Sequence, residues 1–229
     1  MANKPDKYGD DSSHEPWIDN NIFFPIATEL VDPLHHMGLT PNNVTILSTM
    51  FTFISIYFLH IGNNYYAAAS YCFGYILDCV DGRMARKYSM GSDVGMALDA
   101  TSDTVSNIAL FAYLIYTNKM NVELFIVLIV LSVLISLAYG LNEAISTHKL
   151  TGSDNFYKRR VDQLKDKKDN RLLYDMFLDV TNSSYKTYKS FFPEYDEEKI
   201  HYWLSTLKEF GPGTYCALVT VMLLCIGKK

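Results

Sequence analysis

Long apolar runs alternate with strongly polar stretches along this chain. A spanning helix needs about 20 mainly apolar residues. Four segments meet that requirement: about Asn43 to Ile61, Tyr65 to Arg86, Val94 to Tyr116, and Val122 to Ala144, the last being the most apolar. A fifth run, Thr214 to Gly227, is shorter but still fits a span. Between the fourth and fifth lies a polar stretch, about His148 to Glu209, too rich in Lys, Arg and Asp to cross lipid. Near its end Ile200, Trp203, Leu204, Leu207 and Phe210 recur at helical spacing. That pattern fits an interfacial amphipathic helix and, equally, a helix packed on its neighbours. Gly211-Pro212-Gly213 breaks the helix before the last span. Ahead of the first span, Ile22, Ile26 and Leu30 at spacing four predict a short interfacial helix entering at Pro25 and stopped near Pro33.

The pattern predicts an all-α integral membrane protein, a helical bundle of five transmembrane helices with a sixth left open and an N-terminal interfacial helix. Residues 1–16 are expected to be disordered. Residues 17–38 form the interfacial helix, 39–146 the transmembrane core, 147–211 a polar cytoplasmic-side insertion, and 212–229 the last transmembrane helix. The opening "MANKPDKYGDDSSHEP" has no apolar core and does not read as a signal peptide.

Composition narrows the classes. Mean hydropathy is near zero, at +0.02, because the two populations cancel. The net charge of −5 comes with no basic stripe interleaved with aromatics, so nucleic acid is not an expected partner. The four cysteines, Cys72, Cys79, Cys216 and Cys225, form no C-x-x-C pair and read as small core hydrophobes. The six histidines show no ligand spacing. Lys and Arg flank the second and fourth spans (Arg83, Arg86, Lys87; Lys149, Arg159, Arg160). The positive-inside bias therefore puts this side, and the N-terminus, in the cytoplasm. The sequons at Asn43 and Asn182 would then be chance matches.

One stretch resists the apolar background: "DCVDGRMARKYSMGSDVGMALDATSD", residues 78 to 103. On a helix Asp78, Asp81, Gly82 and Ala85 fall within a stripe of about 100°, and on the next Gly95, Asp99 and Asp103 within about 80°. The small residues Gly82, Ala85 and Gly95 would let the two helices approach closely. Four carboxylates would then converge on one polar cavity. In low dielectric they must be protonated or joined to cations. Intramembrane acids mark functional sites by default. An oxygen-only donor set suits two hard ions, Mg²⁺ or Mn²⁺, and paired metals are the usual apparatus for displacement at phosphorus. Arg86 would offer a guanidinium fork to a phosphate. A divalent-cation channel or carrier would explain the acids, but not Gly82, Ala85 and Arg86 at fixed spacing.

Asp78, Asp81, Gly82, Ala85, Arg86, Gly95, Asp99 and Asp103 meet every spacing of D-x-x-D-G-x-x-A-R-x8-G-x-x-x-D-x-x-x-D. This pattern resembles the signature of the CDP-alcohol phosphotransferases, and "LTPNNVT" resembles that family's entry to its first span. The resemblance covers about residues 20 to 146. It implies a CDP-alcohol donor, an alcohol acceptor, two divalent ions, a site facing the cytoplasm and a homodimer in a lipid membrane, the endoplasmic reticulum if the source is eukaryotic. Asp78, Asp81 and Asp99 would be metal ligands. Asp103 would touch a metal and take the proton from the acceptor hydroxyl. Gly82 would let the cytidine diphosphate approach the backbone. Arg86 and Ser92 would contact it, and Pro41, Asn42, Asn43 and Val44 would line its other side. The family commonly has six spans, whereas five are legible here. No Lys or Arg follows Asp103 for many residues, and Arg83 is the one additional cation in the motif. That predicts CDP-diacylglycerol as donor and a neutral or zwitterionic acceptor, inositol or serine. Transfer from CDP-choline or CDP-ethanolamine to diacylglycerol is the alternative.

Overall fold

The computed structural model describes residues 15–168 and 170–226. The expected disorder of residues 1–16 falls almost wholly outside them. Every regular element described is helical. A π-helical turn, Asp19–Phe23, leads into α1 (Phe24–His36). Four long helices follow: α2 (Pro41–His60), α3 (Asn64–Lys87), α4 (Asp93–Tyr116) and α5 (Val122–Thr151). Then come α6 (Phe156–Leu164), α7 (Arg171–Phe191), α8 (Glu197–Leu207) and α9 (Pro212–Cys225).

The helix starts are set by local chemistry. Thr40, Asn63, Ser92, Asn121, Asn155 and Asp196 each use a side-chain oxygen to accept the amide three residues on. At α2 the cap is reciprocal, because Asn43 Oδ1 also accepts from the Thr40 amide at 3.0 Å. The stop of α1 differs from expectation. Pro33 lies inside the helix, which ends at His36. Gly38, at φ +83°, turns the chain while its neighbour Leu39 donates back to the Leu34 carbonyl.

The core of the bundle is the α2–α3 pair, with α4 packed on α2 and α1 and α9 on α3. Gly74 makes the pair possible, since a methyl group there would lie 3.1 Å from the Ser48 carbonyl oxygen. α2 is inverted relative to a helix in water. It buries Ser48, Thr52 and Ser55 and exposes Ile46, Met50, Phe53 and Tyr57. α5 likewise exposes Phe125, Ile126, Ile129 and Val130. Small polar residues at the helix contact and apolar ones outside are what lipid favours. By length and composition, α2 and α5 are the two described helices that could cross a membrane. α3 and α4 are as long but carry the charged motif, and α9 is only 14 residues.

The polar stretch after α5 is folded. α7, which periodicity did not reveal, packs on α4 and α5. Gly140 admits it, because a methyl group there would lie 2.7 Å from Tyr188 Cβ. α8 docks on α5 through Ile200, Leu204 and Leu207, while Trp203 of the same stripe stays exposed. The expected stripe leaves Ile22 and Ile26 exposed, while the neighbouring face, Phe23, Ala27 and Val31, is buried in the bundle.

The Gly211-Pro212-Gly213 break does more than separate α8 from α9. Pro16 and Asp19 lie where methyl groups on Gly211 and Gly213 would be. Asp19, 1 % exposed, accepts from the Gly213 amide at 3.1 Å and the Tyr75 hydroxyl at 2.6 Å. A carboxylate at the start of α9 meets unsatisfied amides and the positive end of the helix. The N-terminal segment is thereby tied to both α3 and α9.

Candidate active site

The backbones of α3 and α4 stay apart and the helices meet through side chains, as where the Tyr71 hydroxyl donates to Asn107 Oδ1 at 3.1 Å; α2 packs against both. This corrects the expected close approach through Ala85 and Gly95. Both residues line the space between the helices. The nearest foreign atom to a methyl group on Gly95 would be Asn42 Oδ1 of α2, at 2.9 Å. At the motif α3 and α4 present carboxylates to each other, whereas further along Ala68 and Tyr71 share an apolar cluster with Leu110 and Leu114.

Oxygens of Asp78, Asp99 and Asp103 lie within 4.8 Å of one another. Asp78 and Asp99 are close enough to share a hydrogen bond. Asp81, 5 % exposed, receives a hydrogen bond from Thr45 Oγ1 at 2.5 Å. Thr45 is a residue that sequence reasoning missed, although it lies one helical turn after Pro41 on the same face. The burial is graded: Asp81 is buried, Asp78 and Asp99 are partly buried, and Asp103 is exposed on the groove side.

A cavity of about 240 Å³ adjoins Asp81 and Asp99. Pro41, Asn42, Thr45, Gly82, Arg86 and Ser92 line it, with Met90, Gly91 and Met96. The Arg86 guanidinium folds over Gly82, where a methyl group would stand 3.3 Å from its Nη1. Ser92 Oγ also accepts the Gly95 amide at 3.0 Å, so it serves the α4 cap as well as the cavity. Asn43 and Val44 are not brought here. The Asn43 side chain is used by the α2 cap. Val44 is fully buried against Ala27, Leu77 and Val80. Arg83 is also turned away, with its guanidinium 4.2 Å from the Phe24 ring and Nη1 3.2 Å from Thr28 Oγ1.

Two other cations stand at the opposite rim. Arg159 and Arg160 both bind Glu143, at 2.5 and 3.0 Å, and Arg160 Nη1 lies 3.2 Å from Met96 Sδ. Two guanidiniums thus share one carboxylate, and Arg160 reaches Met96 of the cavity lining. At the mouth of α3, Asp32 accepts from Lys87 Nζ at 2.5 Å and Tyr88 Oη at 2.7 Å. The Lys87 contact first, and then Tyr88, hold its carboxyl below the usual carboxylate range.

Two carboxylate charges 4.8 Å apart repel by roughly 3–4 kcal/mol at an effective dielectric near 20. Asp78 Oδ1 is buried without a hydrogen-bond partner. A buried acceptor of that kind needs a proton or a cation. The donor set is carboxylate oxygen alone, which fits a hard divalent ion. Asp78, Asp99 and Asp103 converge as the residues that would hold it, whereas Asp81, bonded to Thr45, lies outside that converging group.

The CDP-alcohol phosphatidyltransferase family matches residues 38–154, just over half of the chain. The chain is 34 % identical over 102 residues to a phosphatidylinositol phosphate synthase of Mycobacterium tuberculosis, which is 44 % of this chain and 47 % of that protein. The like-named protein of Mycobacterium marinum is 31 % identical over 105 residues, 45 % of each chain. An archaetidylinositol phosphate synthase of Pyrococcus horikoshii is 34 % identical over 74 residues, 32 % of this chain and 39 % of that one. The matched stretches span less than half the length of these relatives. No solved structure matches. The family match begins just before α2 and ends just after α5, enclosing all four aspartates and the cavity beside them, and the chain belongs to the CDP-alcohol phosphatidyltransferase family.

Proposed function

We propose that this chain transfers a phosphatidyl group from CDP-diacylglycerol, or its ether-linked counterpart, to an inositol-class alcohol, releasing CMP. The observation that carries the proposal is the convergence of Asp78, Asp99 and Asp103, with Asp81 set beside them by Thr45, next to a cavity floored by Gly82 and overhung by Arg86. Asp78, Asp99 and Asp103, with Asp81 beside them, would hold divalent cations, two by family resemblance, which would supply the positive charge that offsets the donor's diphosphate. Arg86 and Ser92 orient the donor from one side, and Pro41 and Asn42 from the other. Asp103 is the most accessible of the four, so it is the one an acceptor can reach. Its carboxylate takes the proton from the acceptor hydroxyl. The hydroxyl oxygen bonds to the β-phosphorus, and the bond from that phosphorus to the CMP oxygen breaks.

The positions of the arginines change the acceptor expectation. Arg83 faces α1, while Arg159 and Arg160 share Glu143 and Arg160 reaches Met96 of the cavity lining. Together with the names of the relatives, this favours inositol phosphate over inositol or serine. The surrounding architecture is proposed to be five spans, α2 to α5 and α9, with the motif and N-terminus cytoplasmic and two copies forming a dimer. The inverted surfaces of α2 and α5 support a lipid setting.

The test is an acceptor panel on the purified protein in lipid, with CDP-diacylglycerol and Mg²⁺ or Mn²⁺. Inositol phosphate should yield a lipid product and CMP at the highest rate. Product from serine alone, or from CDP-choline with diacylglycerol alone, would contradict the assignment.

A further inference from the structure

Where α9 crosses α3, one cysteine from each helix stands opposite the other. Cys72 packs against the buried cluster that holds Cys216, and the pairing of Tyr75 with Gly213 through Asp19 and of Asn64 with Ile226 sets the two positions opposite each other. The Thr220 hydroxyl, one turn along α9, lies 3.9 Å from Cys216 Sγ. Cys216 is 1 % exposed, whereas Cys72 is only partly buried and gives the pair an accessible side. The two helices are fixed in register at both ends of α9. Asp19 joins Gly213 to Tyr75 at one end, and Asn64 Nδ2 donates to the Ile226 carbonyl at the other. Neither remaining cysteine competes from the same place. Cys79 is two turns further along α3 and engages Tyr75, and Cys225 is exposed near the end of α9.

We propose that Cys72 and Cys216 form a modification site, a dithiol that a membrane-permeant two-electron oxidant closes into a disulfide. Two thiols set opposite each other on registered helices need only a small rotamer adjustment to reach disulfide geometry. With a diazene oxidant, the Cys72 sulfur adds to one nitrogen of the N=N bond. The Cys216 sulfur then displaces that nitrogen. The S–S bond forms, and the two thiol protons and two electrons leave with the reagent as its hydrazine. A quinone would leave as the hydroquinone by the same balance. The bridge staples the last helix to the helix that carries Asp78 and Asp81, and through Gly213 to the N-terminal segment.

The experiment treats the full chain in lipid with diamide, then cuts it with trypsin in the exposed turn at Lys165 to Lys168. Without reductant, the piece containing residue 72 should stay joined to the piece containing residue 216, and reductant should separate them. Alkylation after denaturation should find two of the four thiols lost. Cys72→Ser and Cys216→Ser should each abolish the link, while Cys225→Ser keeps it. Four alkylatable thiols after oxidation, or a link that survives Cys72→Ser through Cys79, would overturn the proposal. Where a serine variant fails to fold, peptide mapping of the oxidised wild-type chain identifies the joined cysteines directly, and a link between any other pair overturns the proposal equally.

Discussion

The α2–α4 region and the α5–α8 region are both helical, yet they differ in what shares their helix contacts and what they leave outside. α2 meets α3 through Ser48, Thr52, Ser55 and Gly74, while Ile46, Met50 and Phe53 face outward. Around α8 the arrangement is that of a protein in water. Phe156, Tyr188, Phe192, Ile200 and Leu204 are buried together, and the charged residues of the segment are mostly outside. The first region buries apolar residues too, among them Val44, Leu59, Met84, Leu110 and Leu114, but small polar residues share the α2 contact face. Close backbone approach at Gly74 and apolar side chains on the outside suit a lipid surround. In the second, the hydrophobic effect suffices. The proposed site sits where the two meet: Asp78, Asp99 and Asp103 converge between α3 and α4, and Arg160 reaches Met96 from α6.

The comparison can be broken most severely at the carboxylates. Asp78→Asn, Asp81→Asn and Asp99→Asn should each lower turnover by roughly 100- to 1000-fold, by analogy with loss of a pre-organised electrostatic group. Asp103→Asn should fall by about 100- to 10,000-fold in the chemical step, with donor binding better preserved than in Asp78→Asn. Rapid-quench turnover alongside equilibrium donor binding separates the two. Thr45→Val tests the positioning of Asp81 and should cost about 10- to 100-fold in metal affinity or activity.

The α5–α8 region should respond in stability instead. Leu204→Ala removes a fully buried side chain and should cost about 2–5 kcal/mol. Activity per folded molecule should be kept, as read from thermal unfolding beside specific activity. The surfaces give a finer contrast. Phe53 and Leu172 are both exposed. Phe53→Lys should cost about 2.5–3.5 kcal/mol because its surround is lipid. Leu172→Lys should stay within about 0.5 kcal/mol because its surround is water. Equal tolerance at both positions would erase the distinction between the regions.

The smallest effect belongs to Asp32, which is at the surface. Its folded-state pKa is lowered by Lys87 and Tyr88, so its contribution is present above the ordinary carboxylate value and lost as pH falls through the lowered one. Asp32→Asn should lower the Tm slightly at neutral pH, and the difference should vanish in acid.

Much of this fold is legible in the sequence, and the misses have physical causes. The four long helices lie close to the apolar runs, because caps and apolar content both act locally. The aspartates and Gly82 are legible from spacing alone. Thr45 is not, since its role depends on α2 crossing α3. Gly95 reads as a packing residue in one dimension, yet its neighbour is Asn42 rather than α3. Pro33 reads as a stop, but α1 passes through it because Gly38 supplies the turn. α7 escapes notice because its buried positions, Tyr174, Phe177, Thr181 and Tyr188, are aromatic and polar rather than an aliphatic stripe. The Arg159 and Arg160 pair lies far from the motif in sequence and reaches it only through the fold.

The central claim is that the four aspartates hold divalent cations for transfer from a CDP-activated lipid. It is tested most directly by CMP release from CDP-diacylglycerol with inositol phosphate, measured across a titration of chelator and then of Mg²⁺ or Mn²⁺. The account predicts CMP and lipid product in equal amounts, turnover abolished by chelator, and full recovery on adding either ion. Undiminished turnover in excess chelator would contradict it.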